Sequence, residues 1–511
     1  MATSTATLPE ERVGNRWIIL TAGIVGMIAV ANYQYGWTLF VRPLQKHLNV
    51  DQALIQVTFT IFVLLETWLV PFEGWLVDKF GPRLLVMLGG VFAGLGWIGS
   101  GKAETLTALY LSYAVAGIGA GIVYGTAVGT ALKWFPDHRG LAAGLTAAGF
   151  GAGSAFTVAP IANIIQNQGY QTAFIRWGII QGAVIIIAAM FLKSPPQDWL
   201  PKTWRTKGSE IVKSRQIAVS FTSREMAATP HFWLMYFMMA LVATGGLMAV
   251  AQLSPMAISY GVAHVPVTFL WMTIPALTFA LSADRLVNGV CRPMWGWISD
   301  HIGRENTMGL AFGLEGLAKI GLIALAARPV AFVIMTAFTF FGWGEIFSLF
   351  PALCGDFFGR KHATQNYGFL YTAKGSASLF IPIGSALALG KAFDFRADIL
   401  LLIGGAIAFF VVFLAPTIMK IDLSKAAKGT LMGSAFAIVA FALLLTVLHT
   451  LPTGPFKAHW TVPNIGWGGV FGISVVFDFI AAGLAVFVLK RMKAPVKPEA
   501  AVSVGATAPA A

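Results

Sequence analysis

The sequence predicts an all-α polytopic membrane protein, and three features predict it. Of 511 residues, 57% are hydrophobic and only 11% are charged, where a soluble chain carries about a quarter charged residues. The apolar residues form runs along the whole length, each long enough to cross a bilayer as a helix. The net charge of +13 is spread by side rather than gathered in one patch, as when basic residues collect at the cytoplasmic face. An ordinary cytosolic enzyme, a disordered chain and a collagen-like chain are excluded. Nucleic acid is not needed to explain the charge. The two cysteines, Cys291 and Cys354, lie in apolar stretches and imply no disulfide framework. All eight histidines fall near segment ends or in loops, so no metal site is expected.

In chain order, the polar residues 1–16 form a cytoplasmic N-terminus without the pattern of a cleavable signal. Six apolar runs follow, 17–41, 53–77, 84–101, 106–132, 140–166 and 171–192, and make an N-terminal six-helix bundle over 17–192. Residues 193–230, rich in Pro and basic residues, read as a cytoplasmic linker. A C-terminal six-helix bundle is read over 231–418, with spans 231–260, 268–298, 306–327, 330–353, 367–389 and 397–418. Two additional transmembrane helices, 428–450 and 468–489, occupy 419–490, joined by an outer loop holding Thr453, Lys457 and Trp460. Residues 491–511, rich in Ala, Pro and Val, form a disordered cytoplasmic tail. With the N-terminus inside, inner segments hold 23 of the 35 Lys and Arg and outer segments eight. That asymmetry puts both termini in the cytoplasm, in a cell inner (plasma) membrane.

One motif occurs twice. After the second span come Gly74, Trp75, Asp78, Gly81 and Arg83; after the eighth come Gly296, Trp297, Asp300, Gly303 and Arg304, 222 residues later. The glycines suit close helix approach and a tight cytoplasmic turn, and Asp can cap a helix N-terminus. Recurrence at one topological position in two six-span halves reads as an internal repeat that forms a gating motif.

An ionisable group within a span marks a functional site, because placing it there costs a few kcal/mol. Arg292 lies eight residues before Asp300, and Lys374 eight residues after Asn366. At 1.5 Å per residue both lie ~12 Å from the inner end of their spans, near mid-depth. Two cations at one depth in the same half would attract an anion, unless each pairs with a protein carboxylate. Glu315 and Lys319, spaced i, i+4, can neutralise each other. Asp284 and Arg285 are adjacent and are expected on different faces. Glu66 and Glu345 are possible coupling carboxylates, with partnering of a cation as their other role. The fourth span carries Gly117, Gly121, Gly125 and Gly129 at four-residue spacing, a ridge for close packing.

The paired motif resembles the signature loop of the major facilitator superfamily. Local strings narrow the likeness: Asn15 to Trp17, Gln34 to Leu39, Gly121 to Gly125, Trp134 to Ala142, Asn288 to Pro293, and Asn366 to Gly368 followed by Lys374. Together they resemble the oxalate/formate antiporter family. The resemblance implies a secondary transporter working by alternating access, with a small dianion held between Arg292 and Lys374. It further implies a lining of Gln34, Tyr35, Tyr124 and Trp343. At two cage positions this chain departs, with Phe347 and Tyr371 where those exchangers resemble Tyr and Trp. Phe347 removes a hydroxyl donor, while Glu66 and Glu345 add carboxylates.

The expected partners are small carboxylate anions and the lipid bilayer, with no nucleic acid, no cofactor, no metal and no catalytic residues. The expected unit is a monomer. The expected function is oxalate/formate-type anion exchange, with a proton-linked monocarboxylate transporter as alternative and a non-transporting membrane sensor as a remote one. The last two spans are expected to be dispensable, because Asp478 has no evident partner in the core motifs.

Overall fold

Five of the apolar runs fold as pairs of helices rather than as single rods. The computed structural model describes residues 15–135, 139–196, 220–269, 272–359, 362–390, 463–493 and 495. The first run is α1 (Arg16–Tyr35) and α2 (Thr38–Leu48), and the second is α3 (Gln52–Trp68) and α4 (Val70–Phe80). α5 (Pro82–Gly101) and α6 (Leu106–Trp134) are unbroken, α7 (Arg139–Ala152) and α8 (Val158–Gln168) form the fifth run, and α9 (Tyr170–Ala189) the sixth. A short α10 (Ser223–Ala227) precedes α11 (Pro230–Ser259). After the eighth run's α12 (Ala276–Ile302) come α13 (Arg304–Leu325), α14 (Pro329–Trp343) with α15 (Ile346–Phe358), and α16 (Ala363–Ser378) with α17 (Phe380–Leu389). The last described α-helix is α18 (Gly466–Gly483), which runs on into a π-helical turn at Leu484–Val488 and a 3-10 turn at Leu489–Arg491.

Local chemistry sets these ends. The Asn15 side chain accepts from the Trp17 amide, Thr105 from Ala108 and Thr229 from Phe232, satisfying donors at the starts of α1, α6 and α11. Thr222 and Glu225 form a reciprocal capping box on α10. Pro71 stands at the start of α4, where its missing N–H is harmless. The eighth span starts later than its apolar run suggests. Residues 266–269 and 272–275 pair as an antiparallel hairpin of β1 (Pro266–Phe269) and β2 (Met272–Pro275). The run of β-branched residues there reads equally well as helix or strand, and Pro275 delays the helix to Ala276.

The two motif loops have the same backbone. Gly81 (φ +83°) and Gly303 (φ +88°) each end one helix and immediately start the next, each donating its N–H to the residue four back. Only glycine takes that φ without strain. Two expectations for the second loop are corrected. Asp300 does not cap α13; it sits in the last turn of α12 and pairs with Arg304 at 2.7 Å. Gly296 has no neighbour among the described residues where a side chain would start, so none of their helices packs on it there. Arg304 also reaches Asp356 at 3.3 Å, tying the loop to the end of α15. In the first loop Arg83 is exposed; the side chains at Gly74 and Asp78 lie outside the described residues.

In the N-terminal half α5 packs against α6 and α9, and α3 against α6. Gly117 and Gly121 of α6 press on the backbone at Phe62 and Glu66, with 2.7 and 2.8 Å left for an added Cβ. The glycine ridge therefore seats the helix that carries Glu66. The halves meet along α3 with α16 and α17, and α7 with α12. Gln52 donates to Gln252 and Ser385 at 3.0 Å, and Thr60 to the Ser378 carbonyl at 2.7 Å, closing this seam with buried hydrogen bonds.

Helix α18 packs on α13 and α11, as α9 packs on α5 and α1. The expectation that Asp478 lacks a core partner is corrected: it forms a fully buried ion pair with Lys319 at 2.7 Å. The predicted spans 397–418 and 428–450, the loop 453–460, linker residues 197–219, the first 14 residues and the tail lie outside the described residues, save 491–493 and 495 at the tail's start. The end of the linker docks on the C-terminal half, with the Phe221 N–H bonded to the Phe358 carbonyl at 2.8 Å.

Candidate functional site

Helix breaks place the site. α1 stops at Tyr35, α14 stops at Trp343, and α3 stops two residues after Glu66. Broken helices at membrane depth are tolerated where protein surrounds them, and here they deliver Gln34, Tyr35, Trp343 and Phe347 toward the seam between the halves. α12 and α16 bring the two cations from the C-terminal half.

Arg292 and Lys374 converge as the depth argument expects, and both are fully buried. The Arg292 guanidinium lies 4.2 Å and the Lys374 ammonium 5.7 Å from the centre of the Phe347 ring. The two cations are therefore within about 10 Å of each other. Their partners differ. Arg292 donates to the Ala147 carbonyl at 2.7 Å, the Tyr35 hydroxyl at 3.1 Å and the Asn288 carbonyl at 3.2 Å. Among the described residues it has no carboxylate partner. Lys374 donates to Gln34 at 2.7 Å, to Tyr371 at 3.1 Å and to both oxygens of Glu66 at 3.0 and 3.1 Å. The pairing with a protein carboxylate, an open alternative in the sequence, holds for Lys374 and fails for Arg292.

Aromatic rings wall the pair. Tyr124 stacks on Tyr371 at 5.2 Å, Phe347 meets Tyr371 edge-on at 6.3 Å, and Trp343 meets Phe347 edge-on at 5.2 Å. Phe347 gives up a hydroxyl donor but offers its ring face to both cations. The Trp343 indole nitrogen faces Gly246 of α11, which has no room for a side chain there. Gln34 keeps its Nε2 amide without a partner among the described residues, a buried donor beside Lys374.

The two carboxylates read as coupling groups separate. Glu66 joins the site. Glu345, in the break between α14 and α15, has no hydrogen-bond partner for either oxygen among the described residues, and its charged neighbour is Glu315. Glu315 pairs with Lys319 at 2.6 Å as its spacing implies. Asp284 and Arg285 also pair, at 3.2 Å, although adjacent residues were expected to diverge. The long guanidinium bends back across the helix, and its carbon lies 4.6 Å over both the Tyr35 and Phe340 rings.

Phe150, Asn288 and Tyr367 also belong to this site; the last two stood in the strings that carry the family resemblance, without a role of their own. Phe150 touches Tyr35 and Tyr124, each at 5.3 Å, and Tyr367 touches Tyr371 at 5.6 Å. Asn288, one helical turn before Arg292, holds the Tyr35 hydroxyl at 3.1 Å. Its i, i+4 spacing was the available signal. Phe150 lies among apolar neighbours and gave none. Gly151 lets Arg292 through, since a Cβ there would lie 3.0 Å from its Nε.

The Major Facilitator Superfamily description matches residues 22–382 of the chain. An oxalate:formate antiporter of Oxalobacter formigenes is 38% identical over 406 residues, covering 79% of this chain and 91% of that one. The chain belongs to the major facilitator superfamily, in its oxalate/formate antiporter family. This member of the superfamily is a multi-pass membrane transporter and not an enzyme. It is also similar to monocarboxylate transporter 12 of Xenopus laevis, 23% identical over 65% of this chain and 73% of that one. A bacterial homologue of the lysosomal transporter Spinster, in an inward-facing crystal structure, shares the fold at TM-score 0.56 and 14% identity. That likeness covers 94% of this chain and 99% of the other.

Proposed function

We propose that this transporter moves small carboxylate anions by alternating access, as an oxalate/formate-type exchanger, with the anion held between Arg292 and Lys374. The observation that carries this reading is Arg292, fully buried with no carboxylate partner among the described residues. A buried guanidinium whose described partners are all neutral oxygens suits an anion, because its uncompensated charge is strengthened by the low dielectric around it. Gln34, Tyr35, Tyr124 and Tyr371 supply donors and stacking faces, and Trp343 and Phe347 complete the wall. The name of the Oxalobacter formigenes relative points to the same ligands. Counterflow in proteoliposomes preloaded with unlabelled oxalate, formate, acetate or lactate tests it. Labelled anion accumulates if one of these is a substrate, and absence of counterflow with the whole panel rejects the reading.

A second reading, a proton-linked monocarboxylate transporter, draws on the Glu66–Lys374 ion pair, which places a titratable group on the site itself. Uptake driven by an imposed proton gradient, and lost with a protonophore, favours it. The rocking of two halves about the site belongs to both readings, with the motif loops at Gly81 and Gly303 as gating elements. The basic-residue asymmetry supports a plasma-membrane protein with cytoplasmic termini, and the site, built within one chain, supports a monomer as the working unit.

The packing of α18 supports a different division of the C-terminal half from the one the sequence suggests. In it α18 is the sixth helix of that bundle, and 391–462 is an insertion between the eleventh span and α18. The Ile465 N–H bonds to the Leu387 carbonyl at 3.0 Å, and Gly390 lies so close to Asn464 that a side chain would not fit. The described residues flanking 391–462 thus abut.

A further inference from the structure

The ion pair between Glu66 and Lys374 sets the charge that the site asks of its ligand. Glu66 pairs with Lys374 at 3.0 Å, Lys374 and Arg292 both lie over the Phe347 ring, and all three charged groups are fully buried. With Glu66 ionised this leaves one uncompensated positive charge. The groups facing Glu66 are Lys374 and Tyr371 on α16, Tyr124 on α6, Tyr35 on α1 and Glu73 on α4, with Arg292 on α12 beyond Lys374. Lys374 and Arg292 are the cations among them. Among the described residues Glu73 pairs with neither cation, its two oxygens lying 2.8 and 3.3 Å from where side chains on Gly121 and Gly125 would start. Its oxygens meet no donor among the described residues.

A charge left unmatched in a buried site is expensive, so the favoured ligand is the one that cancels it. A monocarboxylate cancels one positive charge. A dicarboxylate dianion leaves one negative charge in excess, unless Glu66 takes up a proton and frees Lys374 for the second carboxylate. Resting on the anion-site reading above, we propose that Glu66 is the specificity-determining residue of this transporter, matching the site to a monocarboxylate and admitting a dianion only together with a proton. Exchange of a dianion plus a proton for a monoanion then moves no net charge.

The test is competitive uptake of labelled formate and labelled oxalate into proteoliposomes, over a pH range in which both stay fully ionised. In the wild type the oxalate-to-formate ratio rises as the pH falls. In Glu66→Gln it is shifted toward oxalate by about tenfold or more, equivalent to about 1.4 kcal/mol, and no longer changes with pH. Glu66→Asp restores the wild-type ratio and its slope. A wild-type ratio flat with pH, or a ratio in Glu66→Gln equal to the wild type, overturns the proposal. If Glu66→Gln does not reach the membrane folded, the wild-type pH series decides alone. Arg292→Gln separates the two claims. If it transports like the wild type, the anion site itself is wrong. If it loses uptake while Glu66→Gln leaves the ratio unchanged, only the role of Glu66 is wrong.

Discussion

Lys374 and Arg292 show how two buried cations at one depth come to differ. Lys374 is a point charge held by a carboxylate, an amide and a phenol, whereas Arg292 is a planar fork resting on neutral oxygens. Replacing the point charge with a fork should not be conservative. Lys374→Arg is expected to lower uptake at least tenfold while the protein still accumulates and elutes as a folded species by size exclusion. Tyr35 holds Arg292 through its hydroxyl, so Tyr35→Phe should remove one hydrogen bond to a charged group, worth about 1.5–3 kcal/mol. Substrate affinity should weaken by roughly ten- to a hundredfold, and unchanged affinity would show that Tyr35 does not orient the guanidinium. Residues such as Arg292, Lys374 and Glu66 were legible because a charge in an apolar run stands out against its neighbours. Phe150 and the Ala147 carbonyl were not, since an aromatic among aliphatics and a backbone oxygen carry no sequence signal.

At the scale of elements, the apolar runs within the described residues fold mainly as helices, but their breaks were not legible. Hydropathy averages over a window, and a break such as Gly36 to Trp37 or Gly344 to Glu345 changes the mean little, though it redirects the chain at the site. The hairpin at 266–275 was missed for a related reason, because an apolar β-branched run reads alike as strand and helix. The last helix was misjudged through Asp478, whose partner Lys319 lies 159 residues away, a separation no local pattern reveals. Breaking a buried pair by removing one partner costs about 3–5 kcal/mol. Asp478→Asn, which leaves Lys319 with Glu315 alone, should therefore lower thermal stability in detergent, and Lys319→Met, which strands two buried carboxylates, should lower it further. A single variant as stable as the wild type would mean that α18 is not held by this pair. Lys319 also fills the space over Gly245 of α11, so one ammonium ties three helices together.

Over the whole molecule, the repeated motif suggested a six-plus-six organisation, and the matching backbone of Gly81 and Gly303 gives the repeat its physical content. On the proposed division the boundary of the second half was not readable, because apolar runs 397–418 and 428–450 look in the sequence like any other span. Replacing residues 391–462 by a short Gly/Ser linker should preserve anion counterflow, since the residues on either side already touch. Removing α18 as well should abolish folding, and survival of counterflow without it would refute its place in the bundle. Arg292 remains the hinge of the functional account. Counterflow of labelled oxalate and formate by Arg292→Gln, measured beside the wild type at equal amounts of folded protein in the membrane, tests it most directly. Loss of counterflow for both anions with the protein still folded is the expected result. Near-normal counterflow of either anion would contradict an anion site at Arg292.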